Sequence, residues 1–84
     1  MQKVIIYSKE VCPYCVKAKM LLTRKKVDFS EIKITSDELK QEMIAKSGGR
    51  MTVPQIFIGN FHVGGCDDLY ALEAAGKLDK LLQE

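Results

Sequence analysis

Residues 4–21 read VIIYSKEVCPYCVKAKML, and the pattern of these residues is the most informative about the fold. Its first five residues, Val4–Ser8, form a short apolar run rich in β-branched side chains, which is typical of a strand. After a short loop, a segment that opens at Cys12 and Pro13 carries apolar residues at helical spacing, at Val16, Met20 and Leu21. The stretch therefore predicts a strand, a loop and a helix in succession.

Periodicity and turn residues predict the other elements. They are a strand at 28–34, a helix from a capping box at 35–38 to Gly48-Gly49, a hairpin of strands at 55–58 and 61–63 around Gly59-Asn60, and helices at 67–75 and 77–83. Up to the third helix the order is βαβαββα. A strand-helix-strand unit requires its two strands to be parallel with a right-handed crossover. We therefore predict an α/β fold with a four-stranded mixed sheet flanked by helices.

Length and composition limit the classes of protein to consider. Eighty-four residues predict one domain, residues 1–84, because so short a chain buries too little apolar surface for two cores. The 46% hydrophobic and 29% charged content is that of a folded globular protein. A net charge of +2 is too small to indicate nucleic acid or an anionic membrane as the main partner.

The N-terminus shows no basic segment followed by an apolar run and a cleavage site, and no apolar run reaches about eighteen residues. We expect a cytoplasmic protein, although a processed precursor could have lost a targeting segment. The three cysteines are a small, odd-numbered set, unlike the numerous and even-numbered cysteines that form the disulfide framework of a small secreted domain. Two of them three residues apart indicate catalysis or metal binding.

Cys12-Pro13-Tyr14-Cys15 lies after the first predicted strand, at the start of the first predicted helix. Pro13 fits the first helical position, so Cys12 falls at the N-cap and Cys15 one turn later, close enough to form a disulfide. Free N–H groups of the first turn and the helix dipole favour the thiolate and lower the pKa of Cys12, with Lys9 as a further contributor. We predict that Cys12 is the nucleophile and that the more buried Cys15 attacks the mixed disulfide formed at Cys12.

Two other interpretations of the cysteine pair are weaker. Cys-x-x-Cys is also half of a common zinc site, but only His62 and Cys66 remain as soft ligands, and their spacing fits no standard four-ligand cluster. A permanent structural disulfide would close a loop too short to stabilise the fold much. We therefore expect no metal.

Three motifs together resemble the glutaredoxin family over essentially the whole chain. They are Cys12-Pro13-Tyr14-Cys15, Thr52-Val53-Pro54 and Gly64-Gly65-Cys66-Asp67-Asp68. The chain is most similar to the class I dithiol members, of the small bacterial type often called glutaredoxin 3. The resemblance implies a thioredoxin-like fold and a glutathione-dependent thiol–disulfide oxidoreductase that acts as a monomer. Its substrates would be protein disulfides and protein–glutathione mixed disulfides, with ribonucleotide reductase as a candidate partner and glutathione as a substrate, not a cofactor.

The resemblance also implies a set of glutathione contacts. In such proteins the bond before Pro54 is cis, although the sequence alone favours trans, and Val53 pairs its backbone with the cysteinyl unit of glutathione. The N–H groups of Cys66 and Asp67 would bind the γ-glutamyl carboxylate, and the Asp67 side chain would bind the ammonium. The full set of implied contacts is Lys9, Tyr14, Thr52, Val53, Pro54, Gly65, Cys66 and Asp67, with Gln41 and Arg50 as weaker candidates.

Each of these contacts has a plainer alternative. Asp67 and Asp68 could only cap and charge the helix start, Lys9 could be a solvated surface lysine, and Cys66 could be a passive buried thiol. We expect His62 to be a surface or edge residue. Phe29, Phe57, Phe61, Met20 and Met43 are expected to pack in the core or groove.

Two rival functions remain at this point. One is a related enzyme reduced by a flavoprotein thioredoxin reductase; Lys9, Thr52-Val53 and Asp67 argue against it because they suit the charged ends of glutathione. The other is a binding module that holds an iron–sulfur cluster between two subunits through Cys12 and glutathione, which Pro13 disfavours.

Overall fold

The computed structural model describes residues 2–83. The strands are β1 (Val4–Ser8), β2 (Phe29–Lys33), β3 (Gln55–Ile58) and β4 (Phe61–Gly64), and the helices are α1 (Pro13–Arg24), α2 (Asp37–Lys46), α3 (Cys66–Ala74) and α4 (Leu78–Gln83). Each predicted element is present, with ends that differ by one or two residues, so the order is βαβαββα followed by the last short helix. None of these helices is both long and apolar enough to cross a membrane.

The four strands form one mixed sheet in the order β2-β1-β3-β4. β1 runs parallel to β2, which confirms the predicted strand-helix-strand unit, and antiparallel to β3, with Tyr7 opposite Gln55. β3 and β4 form the predicted hairpin. Because β1 and β3 are antiparallel, the end of β1 lies beside the start of β3. The loop that carries Cys12 and the segment before Gln55 therefore meet at one edge of the sheet.

Successive side chains of β1 point to opposite faces of the sheet, so the core is divided between these two faces. The larger cluster joins β1 and β3 to α1, α3 and α4 and includes Val4, Ile6, Leu21, Leu22, Ile56, Leu69, Leu78 and Leu82. On the other face Tyr7 packs with Met43 of α2 and Phe57 of β3. The rings of Tyr7 and Phe57 meet edge to face with their centroids 5.9 Å apart. Helices thus flank both faces, which confirms the predicted fold class.

Some local expectations are wrong. Met20 is 62% exposed, because the side of α1 that faces the sheet is the one that carries Ala18, Leu21 and Leu22. Phe61 is also exposed, since it lies at the turn end of the edge strand β4. The N-cap of α2 is Ser36, not Thr35; the Ser36 hydroxyl accepts a hydrogen bond from the N–H of Leu39 at 3.3 Å.

Candidate active site

Cys12 and Cys15 form the centre of the site at the start of α1. Cys12 is the N-cap residue with an extended backbone, and Pro13 occupies the first turn, as predicted. The two cysteines are joined by a disulfide with their Cα atoms 5.2 Å apart. The backbone N–H of Cys15 donates a hydrogen bond to Cys12 Sγ at 3.2 Å. The helix start therefore already presents a donor to the sulfur that would carry negative charge after reduction.

The two cysteine residues are both buried but differ in the fraction that remains exposed. Cys15 shares the buried face of α1 with Ala18 and Leu22 and is 1% exposed, whereas Cys12 is 7% exposed. Cys12 is thus largely covered, with a small part of the residue exposed at the start of α1. This ordering agrees with the prediction that Cys15 is the more buried thiol.

The residue before Cys12 has a backbone conformation that the sequence did not indicate. Val11 has φ of 47°, in the left-handed region that β-branched residues rarely adopt. Its side chain is almost fully exposed, so it does not pack into the core. We find that this turn brings the chain from the end of β1 to the start of α1, which places Cys12 at the N-cap.

A groove of about 350 Å³, here called the disulfide groove, is lined in part by Tyr14, which lies in the chain between the two cysteines of the disulfide. Its walls bring together seven residues of the predicted contact set, which are Tyr14, Thr52, Val53, Pro54, Gly65, Cys66 and Asp67. They also include Arg50, one of the two weaker candidates, and Asp68, which was not in that set. The Val53-Pro54 peptide bond is cis. Pro54 lies close to the start of α3, since a Cβ added to Gly65 would be 3.6 Å from the Pro54 carbonyl oxygen. The second and third motifs therefore form opposite parts of one groove.

The two adjacent acidic residues at the start of α3 have different surroundings. The Asp68 carboxylate accepts a hydrogen bond from the N–H of Gly65 at 2.9 Å and lies 3.7 Å from the Arg50 guanidinium. Asp68 also faces Gly64, where φ is +112° and any Cβ would collide with that carboxylate. Within residues 2–83 the Asp67 side chain makes no ion pair, and it lines the groove. Asp68 is thus the capping residue, and Asp67 is available to a ligand.

A second groove, of about 430 Å³, lies on the other side of Val53. It shares Thr52 and Val53 with the first groove and contains the exposed side chains of Lys9 and Lys40. Lys9 therefore lies next to the disulfide groove and not in it. Gln41 is exposed on α2 and lines neither groove. The predicted contact set is thus divided between two neighbouring depressions that meet at Val53.

Cys66 is buried and His62 is half-buried. Cys66 is a free thiol that is 4% exposed, and burial raises its pKa. His62 stacks on Phe57 and lies 2.7 Å from the side-chain oxygen of Gln55, and burial lowers its pKa. His62 is half-buried on β4, which is an edge strand, so it lies at the sheet edge, one of the two expected positions. Among residues 2–83, no three His, Cys, Asp or Glu side chains are grouped so that they could hold a metal ion.

Known proteins match this chain over most of its length. A family model described as Glutaredoxin matches residues 4–63. Glutaredoxin 3 of Escherichia coli (strain K12) is 57% identical over 83 residues, which cover 99% of this chain and 100% of that protein. The solution structure of a glutaredoxin from Brucella melitensis is 60% identical, with a TM-score of 0.85 over 98% of this chain and 89% of that one. The crystal structure of a buckwheat glutaredoxin–glutathione complex is 29% identical, with a TM-score of 0.88 over 98% of this chain and 77% of that one.

These matches agree with the geometry at the start of α1, where Cys12 and Cys15 form a redox-active dithiol within the Cys-Pro-Tyr-Cys motif. The sheet order and the helices on both of its faces are those of the thioredoxin-like fold. The chain belongs to the glutaredoxin family, whose members are glutathione-dependent thiol–disulfide oxidoreductases.

Proposed function

We propose that Cys12 is the nucleophile of this oxidoreductase and that Cys15 resolves the mixed disulfide. The observation that carries the proposal is the position of Cys12 at the N-cap of α1, where its sulfur accepts the N–H of Cys15 at 3.2 Å. A thiolate at this position gains from that hydrogen bond and from the positive end of the helix dipole. The greater exposure of Cys12 also favours it as the sulfur that meets a substrate.

With a glutathionylated protein, the Cys12 thiolate attacks the glutathione sulfur of the mixed disulfide. The protein thiolate leaves and takes up a proton, and Cys12 becomes joined to glutathione. The thiolate of a second glutathione then attacks the sulfur of the bound glutathione, so that glutathione disulfide forms and the Cys12 thiolate is regenerated. One free glutathione is thus oxidised for each protein thiol released, and the glutathione that was bound to the substrate becomes the other half of the glutathione disulfide.

With a protein disulfide, Cys12 attacks one substrate sulfur and forms a mixed disulfide with the protein. Deprotonated Cys15 then attacks Cys12 Sγ, which releases the second substrate thiol and closes the Cys12–Cys15 bridge seen in the structure. Two glutathiones reduce that bridge in turn. The short distance between the two Cα atoms, 5.2 Å, supports closure without large backbone movement.

Glutathione binds, in this proposal, along the two grooves that meet at Val53. The N–H and C=O of Val53 pair with its cysteinyl unit as a one-residue strand addition, with Thr52 and Pro54 beside it and Tyr14 lining the same groove. The cysteinyl sulfur then lies next to Cys12. The complex of buckwheat glutaredoxin with glutathione supports glutathione as the ligand.

The charged ends of glutathione suit the residues at the two ends of this path. Gly65 and the N–H groups of Cys66 and Asp67 at the start of α3 receive the γ-glutamyl carboxylate, and the Asp67 carboxylate in the groove receives the ammonium. Lys9, in the second groove, binds the glycyl carboxylate as a point charge. Arg50 lies close to the Asp68 carboxylate and contributes less to glutathione binding, and Gln41 does not contribute to it.

We further propose that residues 1–84 form a single glutaredoxin domain that acts as a monomer in the cytoplasm, without a nucleic-acid or membrane partner. The larger core cluster supports one domain, because it includes both Val4 and Leu82. The partners are glutathione and disulfide-bonded or glutathionylated proteins. Ribonucleotide reductase is proposed as one of them on the family resemblance, and no resident cofactor is needed for the reaction.

Cys15→Ser tests the assigned roles. Assays coupled to glutathione reductase and NADPH would measure reduction of a glutathionylated peptide and of a protein disulfide. We expect the first activity to remain and the second to be lost, because only the second requires Cys15. Cys12→Ser, the matched control, should abolish both. Loss of both activities in Cys15→Ser would contradict the roles, and turnover with thioredoxin reductase but not with glutathione would favour the rival reductant.

A further inference from the structure

Gln55 is a polar residue at the centre of the fold. It is 0% exposed, yet each polar atom of its side chain has a partner. Its Nε2 donates hydrogen bonds to the carbonyl oxygen of Thr52 at 3.0 Å and to the Thr52 hydroxyl at 3.2 Å. Its Oε1 lies 2.7 Å from Nε2 of His62. A buried amide is costly without such partners, so these contacts hold the side chain in one orientation.

The hydrogen bonds also assign the proton on His62. Because the Gln55 amide nitrogen is committed to the Thr52 carbonyl, the Gln55 oxygen faces His62 and needs a donor. His62 Nε2 must therefore carry a hydrogen. Burial and the nearby Arg50 charge lower the pKa of His62, which favours the neutral ring. The contact between Nε2 and the Gln55 oxygen then selects the tautomer with its proton on Nε2. The ring is held in place by Phe57, on which it stacks with the centroids 4.9 Å apart.

The sheet explains why these residues meet. Phe57 of β3 is opposite His62 of β4, and Gln55 is two residues before Phe57 on the same side of its strand. Thr52 lies three residues before Gln55, in the segment that contributes to both grooves. A continuous set of hydrogen bonds thus runs from β4, outside both grooves, to the residue that begins the Thr52-Val53-Pro54 segment.

We propose that His62 is a positioning residue for glutathione binding. Acting through Gln55, it holds the carbonyl and hydroxyl of Thr52, and with them the backbone of Val53, in the conformation that receives the tripeptide. The inference rests on the proposed use of Val53 in glutathione binding. Removal of the His62 donor leaves the Gln55 oxygen buried without a partner, so the amide turns or recruits water and Thr52 loses its fixed contacts. The Cys12 sulfur is not part of this set of hydrogen bonds.

His62→Phe and His62→Gln test the proposal together. His62→Phe keeps a ring that can stack on Phe57 but has no donor, whereas His62→Gln carries an N–H at a distance similar to that of the imidazole Nε2. The assay measures KM and kcat for a glutathionylated peptide, and ultraviolet absorbance measures the titration of the Cys12 thiolate. We expect His62→Phe to raise KM about three- to tenfold, which is the effect expected from the loss of one buried hydrogen bond. We expect kcat within about twofold, an unchanged thiolate titration, and a KM near the native value in His62→Gln.

Several outcomes would overturn the proposal. A native KM in His62→Phe, with or without a lower melting temperature, would leave His62 with a purely structural role. A raised KM that His62→Gln does not restore would show that the ring, and not its donor, matters. If His62→Phe does not fold, His62→Asn replaces it, because its shorter amide does not reach Gln55 and the same rise in KM is expected.

Asp67→Ala separates failure of this inference from failure of the proposed groove. If Asp67→Ala raises KM and His62→Phe does not, only the positioning role of His62 is wrong. If neither variant raises KM, glutathione does not use the proposed groove, and the inference falls with it.

Discussion

Asp67 and Asp68 are neighbours in the chain, but Asp68→Ala should mainly lower stability, whereas Asp67→Ala should mainly weaken substrate binding. Asp68 accepts the Gly65 N–H at 2.9 Å and lies 3.7 Å from Arg50, whereas Asp67 lines the groove and, within residues 2–83, makes no ion pair. Asp68→Ala removes a helix cap. Asp67→Ala removes the carboxylate that we assign to the ammonium of glutathione.

The expected magnitudes follow from these contacts. Loss of the hydrogen bond from the N–H of the N-cap residue Gly65 to Asp68 costs about 1 kcal/mol and loss of the Asp68 charge at the helix start about 0.5 kcal/mol, while the exposed pair with Arg50 adds little. A loss of about 1.5 kcal/mol lowers the melting temperature of a domain this small by about 6–12 °C. Asp67→Ala removes only a charge at the helix start, which should lower the melting temperature by about 2–4 °C. It should raise KM for a glutathionylated peptide about fivefold, which corresponds to the loss of about 1 kcal/mol from an exposed ion pair.

Thermal unfolding followed by circular dichroism and the glutathione reductase-coupled assay measure the two effects on the same preparations. We expect Asp68→Ala to be the less stable variant, with KM within about twofold of the native value, and Asp67→Ala to have the higher KM. Equal losses of stability with no change in KM would mean that both residues only cap and charge α3. A larger rise in KM in Asp68→Ala than in Asp67→Ala would reverse the assignment.

Three further predictions concern the core, the third thiol and pH. Leu21→Ala should lower the free energy of unfolding in urea by about 2–5 kcal/mol and Met20→Ala by less than about 0.5 kcal/mol, because Leu21 is buried and Met20 exposed; similar losses would contradict the observed face of α1. In the reduced protein at neutral pH, iodoacetamide should modify Cys12 and leave Cys66 intact, since Cys66 is buried and burial raises its pKa; mass spectrometry showing Cys66 labelled as fast as in urea would refute this. Because the pKa of His62 is lowered in the folded protein from its ordinary value of 6.5, the unfolded chain binds the extra proton first, and stability should fall as pH drops below about 6.5. The melting temperature should therefore decline less between pH 7.5 and 5.5 in His62→Gln than in the native protein. An equal decline in both would count against a lowered pKa of His62 in the folded protein.

The start of α1 and the β3–β4 turn could be predicted because they depend on residues next to one another in the chain. Pro13 suits the first helical turn and therefore places Cys12 at the N-cap, and Gly59-Asn60 suits a tight hairpin turn. Whether Met20 is buried could not be predicted in the same way. The apolar residues of α1 cover more than one side of the helix, and only packing against the sheet decides which side is buried.

The order of the elements, the helix start that carries the cysteine pair and the family could all be inferred from the sequence, because helix caps, turns and motif spacing are local properties of the chain. Only the tertiary structure separated Asp68 from Asp67, placed Lys9 in its own groove beside Val53, and joined His62 to Thr52 through Gln55. These relations depend on which strands are neighbours and which way each side chain faces. Both follow from burial of the whole core, which no short stretch of sequence specifies.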